Sequence, residues 1–170
     1  MIEYGAREVI KAVPIGVAQV YFQENWICGL LILIGMFICS PISSSAALLG
    51  SSVATLTALG LGASTSALYA GLWAYSAVLS SIAIGGMFFV MNRPSVFFYA
   101  VLAAIITTIV HGATASFMAP FGLPALTFPF NFVSWIFCLA GPGIGNIFAV
   151  EITAVSIPED HIKRVSWYRT

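Results

Sequence analysis

Between Glu24 and Glu151 the chain runs for 126 residues with a single formal charge, Arg93. No water-facing surface is built that way, because soluble domains carry roughly a quarter Asp, Glu, Lys and Arg. Here charged residues make up 7% and hydrophobic residues 60% of the 170. Lipid must therefore be the solvent for most of the chain, since each charge on a membrane helix costs about 2.5–3.5 kcal/mol on insertion scales. The sequence reads as an all-α polytopic membrane protein.

Its length supplies roughly five membrane passes of about 20 residues and little else. The remaining charges gather at the two ends: Glu3, Arg7, Glu8, Lys11 and Glu24, then Glu151, Glu159, Asp160, Lys163, Arg164 and Arg169. Their sum is zero, and nothing points to nucleic acid as a partner. Cys28, Cys39 and Cys138 are odd in number, lack CxxC spacing and lie in apolar stretches. They read as reduced packing residues rather than a disulfide or metal site. The first 25 residues lack a continuous apolar core with a small-residue cleavage site, so insertion is expected to rely on internal segments.

Three parts are expected: an interfacial lead-in over 1–25, a membrane domain over 26–150 and a cytoplasmic tail over 151–170. Apolar runs place membrane helices near 26–40, 44–62, 80–91, 96–118 and 124–140. The second is mostly Ser, Ala, Gly and Thr with interspersed Leu, the composition of a helix packed closely inside a bundle. Two segments do not fit plain spans. Residues 124–140 carry Pro124 and Pro129, and 67–90 is too long for one pass and short for two. Broken helices at membrane depth occur where they face protein or line a cavity, and in transporters they point to the binding site. An ordinary proline kink and glycine packing face would give the same pattern.

Three local patterns decide between these readings: QVYFQEN at Gln19–Asn25, GLWAYSAVLSSIAIGGMF at Gly71–Phe88 and GLPALTFPF at Gly122–Phe130. Together, and in this order, they resemble the urea transporter family, whose signature LPxxTxPF is matched in full by Leu123–Phe130. SIPEDH at Ser156–His161 is similar to the tail that follows the second half of animal members. The resemblance covers essentially the whole chain, but as one repeat of a fold that pairs two inverted repeats. One departure stands out: Ala74-Tyr75-Ser76 occupies a place where the family pattern has Gly-aromatic-Asn.

The resemblance implies a fold of five membrane helices plus a re-entrant pore helix near 67–79. It also implies a function: one half of a passive, non-enzymatic and cofactor-free facilitator of urea, with trimeric assembly when complete and residence in the plasma membrane. Urea is flat, neutral and polar, and losing its water costs several kcal/mol unless the pore replaces those hydrogen bonds. In the family a ladder of oxygens does this between apolar walls, helped by carbonyls at half-helix C-terminal ends, where helical partners are missing. The match implies Gln19 as a ladder oxygen and Val20 and Phe22 as slot walls. Leu72, Tyr75 and Leu79, at i, i+3 and i+7, are expected on one helical face as the facing wall. Leu123 and Pro124 form the turn, and Thr127 turns its hydroxyl to the solute at the narrow midpoint.

Singly, each of these residues also fits a bland role. Phe22, Tyr75 and Leu79 suit core or interface positions, Thr127 could cap a helix, Trp26, Trp73 and Trp167 suit an interfacial belt, and His111 reads as a bonded structural histidine. Two alternative functions are a non-conducting assembly partner and an ammonia or water channel, the latter lacking twin histidines or paired NPA motifs. Basic residues set the expected orientation: Arg93, Lys163, Arg164 and Arg169 cytoplasmic, residues 1–25 extracellular.

Overall fold

The computed structural model describes residues 5–91, 93–145, 147–151, 153 and 155–167, with no side chain described beyond Arg164. Among the described residues the chain is all-helical. α1 (Ala6–Ala18) and α2 (Trp26–Cys39) form a pair bent by 74°. The bend consists of a 3-10 turn at Gln19–Tyr21, a left-handed Phe22 at φ 58° and the cap of α2. The Asn25 side-chain oxygen accepts from the N–H groups of Ile27 (2.8 Å) and Cys28 (3.4 Å), donors that a helix start leaves without partners. Residues 1–25 thus contain a helix whose Ala12, Gly16, Val17 and Ala18 are buried against the bundle.

α3 (Pro41–Gly60) follows at once, with Pro41 in its first turn and Ser40 accepting from the Ser43 N–H. Its buried face reads Ser44, Ala46, Ala47, Gly50, Ser51, Ala54, Thr55 and Ala58. Small side chains let backbones approach, and they do. A Cβ on Gly50 would meet Ser81 Oγ at 2.6 Å and the Ala77 carbonyl at 2.7 Å. The Ser51 hydroxyl donates to the Val13 carbonyl (2.6 Å) and the Ser44 hydroxyl to that of Leu33 (2.9 Å), so α3 is bonded to both arms of the bent pair.

The helix expected at 67–79 is divided. α4 (Thr65–Tyr69) stops, the chain turns, and α5 (Tyr75–Ile82) begins six residues later. The break falls where Gly71 takes φ 71° and lies against α1: a Cβ there would come within 2.7 Å of Gly16 N and 2.9 Å of Ile15 C. Glycine alone takes left-handed backbone this close to another chain segment without strain. α5 runs on into a wide π-type turn at Ala83–Met87, so the helix expected at 80–91 starts earlier and ends earlier.

α6 (Pro94–Met118) and α7 (Phe128–Ala140) close the fold around Ile84, Phe89, Val96, Tyr99, Val133 and Phe137. The Tyr99 hydroxyl, buried here, donates to the Phe137 carbonyl (2.8 Å), which satisfies the polar end of an otherwise apolar cluster. α3 and the helical run Pro94–Phe121 are each long and apolar enough to cross a bilayer, and the bent α1–α2 pair would make a third span. α2, α5 and α7, at 14, 8 and 13 residues, are shorter than the roughly 20 that a full pass needs. Large apolar side chains such as Leu31, Ile38, Leu56, Phe98, Trp135 and Leu139 point outward. With the near-absence of charge, this makes the chain an integral membrane protein.

α8 (Pro158–Trp167) returns to the bundle. The Glu159 carboxylate accepts from the Ser40 hydroxyl (2.8 and 3.0 Å) and the Ile42 N–H (2.9 Å), at the positive end of the α3 dipole. His161 is buried, its Nε2 accepting from the Ser156 N–H (2.8 Å), so the proton sits on Nδ1, which donates to the Gly86 carbonyl (2.9 Å). Burial works to raise the Glu159 pKa, but the hydrogen bonds from Ile42 and Ser40 together outweigh it and hold the carboxyl below its ordinary 4.5. A depressed carboxyl pKa gives stability that is complete above the unfolded value and lost as pH falls through the folded one. The protection of α8 amides, relative to the intrinsic exchange rate at each pH, is therefore expected to fall as pH drops below about 4.5. Glu159→Gln should abolish that dependence while loosening α8 by roughly 0.5–1 kcal/mol, a modest figure because the carboxylate is partly solvated. Hydrogen-exchange mass spectrometry across the acid range checks both.

Candidate functional site

Three of the irregular stretches meet: the turn after α1, the break between α4 and α5, and the turn between α6 and α7. Gln19 is buried in the first, and its Nε2 donates to the Ala70 carbonyl (2.7 Å) at the C-terminal cap of α4. That bond orients the amide, leaving Oε1 as its acceptor end. It also occupies one of the helix-end carbonyls that the sequence reading reserves for a solute. Val20 packs inward near Val17, Ala47 and Val78. Phe22, thrown out by its left-handed backbone, is 80% exposed.

The α6–α7 turn is built by the 3-10 step Ala119–Phe121 and a left-handed Gly122 at φ 67°. It then passes through Leu123-Pro124-Ala125-Leu126, where Leu126 is itself left-handed at φ 48°. The Leu126 carbonyl points at the start of α5 and accepts from the Tyr75 hydroxyl (2.8 Å) and, at 3.4 Å, the Ser76 hydroxyl. Ser76 thus makes a backbone hydrogen bond at the place where the Gly-aromatic-Asn pattern is broken. Tyr75 is a strut between two elements as well as a wall.

Two clefts share Pro124 and Ala125. The smaller, 220 Å³, is lined by Ala67, Leu72, Trp73, Tyr75, His111, Ala115 and that shared pair. The larger, 740 Å³, runs along Thr114, Phe117 and Met118 of α6 to Leu126, Thr127, Phe128 and Asn131. Thr127 is exposed and precedes α7 without a side-chain cap bond, so its hydroxyl is not spent on capping. Leu123 is 57% exposed at the edge of the turn.

Several sequence expectations change here. Leu72 does not share a helical face with Tyr75 and Leu79, because it lies in the break before α5 begins. Leu72 and Tyr75 line the small cleft through the turn geometry, whereas Leu79 is half-buried farther along α5 and is not among its lining residues. Trp73, read as an interfacial belt residue, is half-buried and lies across Gly112, where a Cβ would meet its ring at 2.6 Å. His111, read as a bonded histidine, is 6% exposed with a sealed Nδ1 that has no hydrogen-bond partner. The adjacent His111-Gly112 pair was the available signal: a small residue beside a polar one in an apolar helix marks a surface on which something large sits.

The strut is testable. Tyr75→Phe keeps the ring in the cleft and removes one hydrogen bond to a carbonyl that Ser76 reaches only weakly. A loss of about 1 kcal/mol is expected, together with faster amide exchange through residues 123–128. Unfolding in detergent and hydrogen exchange give the two readouts.

A protein-family model for urea transporters matches residues 2–142. Among curated proteins, the chain is 31% identical over 159 residues to Urea transporter 1 of Ovis aries, an alignment covering 94% of this chain and 41% of that protein. The figures for Urea transporter 1 of Capra hircus are the same. Urea transporter 1 of Rattus norvegicus is 30% identical over the same length. The chain therefore spans about two-fifths of the length of the curated relatives it matches.

Proposed function

Because the chain belongs to the urea transporter family, we propose that it forms one half of a passive, channel-like path for urea across the membrane. The observation that carries this reading is the placement of the LPxxTxPF turn. It is tied to α5 through the Leu126 carbonyl, yet presents Thr127 on a cleft that the described residues leave open. A flat neutral solute needs apolar faces and a few hydrogen-bonding groups along one edge. Leu72, Tyr75, Leu123 and Pro124 offer the faces, and Gln19 Oε1 and the Thr127 hydroxyl offer the groups. No proton or electron has to move, so the path requires neither an enzyme's machinery nor a cofactor.

A face left open to lipid would strand those polar groups at several kcal/mol each. We infer that a second repeat, a partner chain or an oppositely inserted copy covers it, and that the complete assembly is a trimer in the plasma membrane. Arg93, which lies over the Phe148 ring, and Lys163 and Arg164 then face the cytoplasm, with the lead-in outside. Arg169, given the same side, lies outside the described residues.

Flux of urea, water and ammonia through one vesicle preparation tests the function, with particle mass measured in parallel. Urea-selective flux from particles holding more than one 170-residue chain is expected. Robust urea flux from particles of one chain overturns the half-pore reading. No urea flux in any assembly state favours a non-conducting assembly partner. Within a conducting assembly, Thr127→Val removes one hydrogen-bond partner of a desolvated solute, about 1–3 kcal/mol. Urea flux should then fall roughly ten- to a hundredfold.

A further inference from the structure

His111 is a polar side chain at the clefts that the reading above leaves unused. It projects from the C-terminal third of α6 into the wall of the 220 Å³ cleft, beside Leu72, Trp73 and Tyr75. Two aromatic rings fix its position: Tyr75 meets it edge-on at 5.2 Å between centroids (88°), and Trp73 lies at 5.9 Å and 57°. Trp73 is in turn seated on Gly112, so the three rings form one packed unit. Holding an imidazole this firmly while leaving its Nδ1 sealed and unpartnered is costly for a purely structural residue.

The sealed nitrogen also indicates the tautomer. Orphaned buried N–H groups are rarer than under-satisfied acceptors, which favours the form with Nδ1 bare and the proton on Nε2, an atom not among the sealed unpartnered ones. The 220 Å³ cleft it borders is several times the roughly 30 Å³ of one water, has mostly apolar lining residues, and shares Pro124 and Ala125 with the Thr127 cleft. We propose that His111 is a specificity-determining residue of the path, donating from Nε2–H to the carbonyl oxygen of a small neutral amide held against Trp73 and Tyr75. This deepens and rests on the urea-path reading. Gln19 and Thr127 offer oxygens to the solute's N–H groups, and His111 supplies the complementary donor to its C=O. Solutes whose acceptor is weak, such as thiourea with sulfur in place of oxygen, gain less from it.

The chain has two histidines, His111 and His161, which makes ¹⁵N-imidazole NMR of the full chain in nanodiscs interpretable, with His161 as internal reference. His111 is expected in the Nε2–H form, with its Nε2 signal shifting saturably on urea addition and much less with thiourea. In proteoliposomes, His111→Phe should lower the urea-to-thiourea flux ratio roughly three- to tenfold. His111→Gln, which keeps an N–H donor, should recover most of it, an outcome a packing role does not predict. A His111 signal indifferent to urea in vesicle-competent protein that conducts urea overturns this proposal and leaves the urea path standing. An Nδ1–H tautomer, or an unchanged flux ratio in His111→Phe, does the same. Absence of both urea flux and any shift overturns the path and the proposal together.

Discussion

The close approach of α3 to α1, α2 and α5 is the contact around which the described part of the bundle is organised. Gly50 touches the α5 backbone region at Ala77 and Ser81, and Ser51 donates to a carbonyl of α1. In lipid there is no hydrophobic force between helices, so association rests on dispersion at short range and on hydrogen bonds that a neighbouring helix supplies. A larger side chain at position 50 would separate α3 from α5 and, with it, the support for the break at Gly71. α1 packs against Ser51 of α3 and against Ala74 at Gly16, and Gly29 of α2 closes on its Pro14 backbone. The result is a central small-residue helix around which short, bent and interrupted segments can be fixed although none of them could span a bilayer by itself.

That support explains why so much polar chemistry can be retained in so apolar a chain. The Gln19 amide binds Ala70, Tyr75 and Ser76 bind Leu126, and Thr107 donates to Ser80 (2.8 Å) between α6 and α5. Each bond joins elements distant in sequence, and most use a carbonyl or hydroxyl that the helix geometry leaves available. In a low-dielectric interior such bonds are stronger than in water, and the same dielectric penalises every group left out. Interrupting helices creates unpaired carbonyls, and side chains from elsewhere tie some of these down. Among the described residues the Thr127 hydroxyl and the His111 ring border the clefts, while the buried hydroxyls of Ser81 and Ser134 are left without a partner inside the bundle.

The segment beyond the family match contributes a different kind of contact. Glu159 caps the first turn of α3, and His161 holds the Gly86 carbonyl released by the π-type turn. Pro158 fills the space above Gly86, where a Cβ would meet it at 2.8 Å. The tail thus braces the far ends of the two helices, α3 and α5, whose contact organises the rest.

The sequence by itself determined the solvent, the helical class and the order of the segments. Those follow from each residue's own free energy of transfer and from local turn chemistry: one charge in 126 residues, a Ser/Ala/Gly-rich run for α3, Pro41 after Ser40, Gly122 closing α6. The LPxxTxPF turn was legible for the same reason, being a short local motif. The tertiary structure decided what depends on two elements at once. Periodicity put Leu72, Tyr75 and Leu79 on one helix, but the contact of Gly71 with Ile15 and Gly16 ends that helix and moves Leu72 into a turn. It likewise decided that the Ala70 carbonyl is already bound and that Trp73 rests on Gly112. The His111 Nδ1 has no partner for the same kind of reason. A residue's affinity for lipid is written in its side chain, whereas its partner is written in the approach of a backbone many positions away.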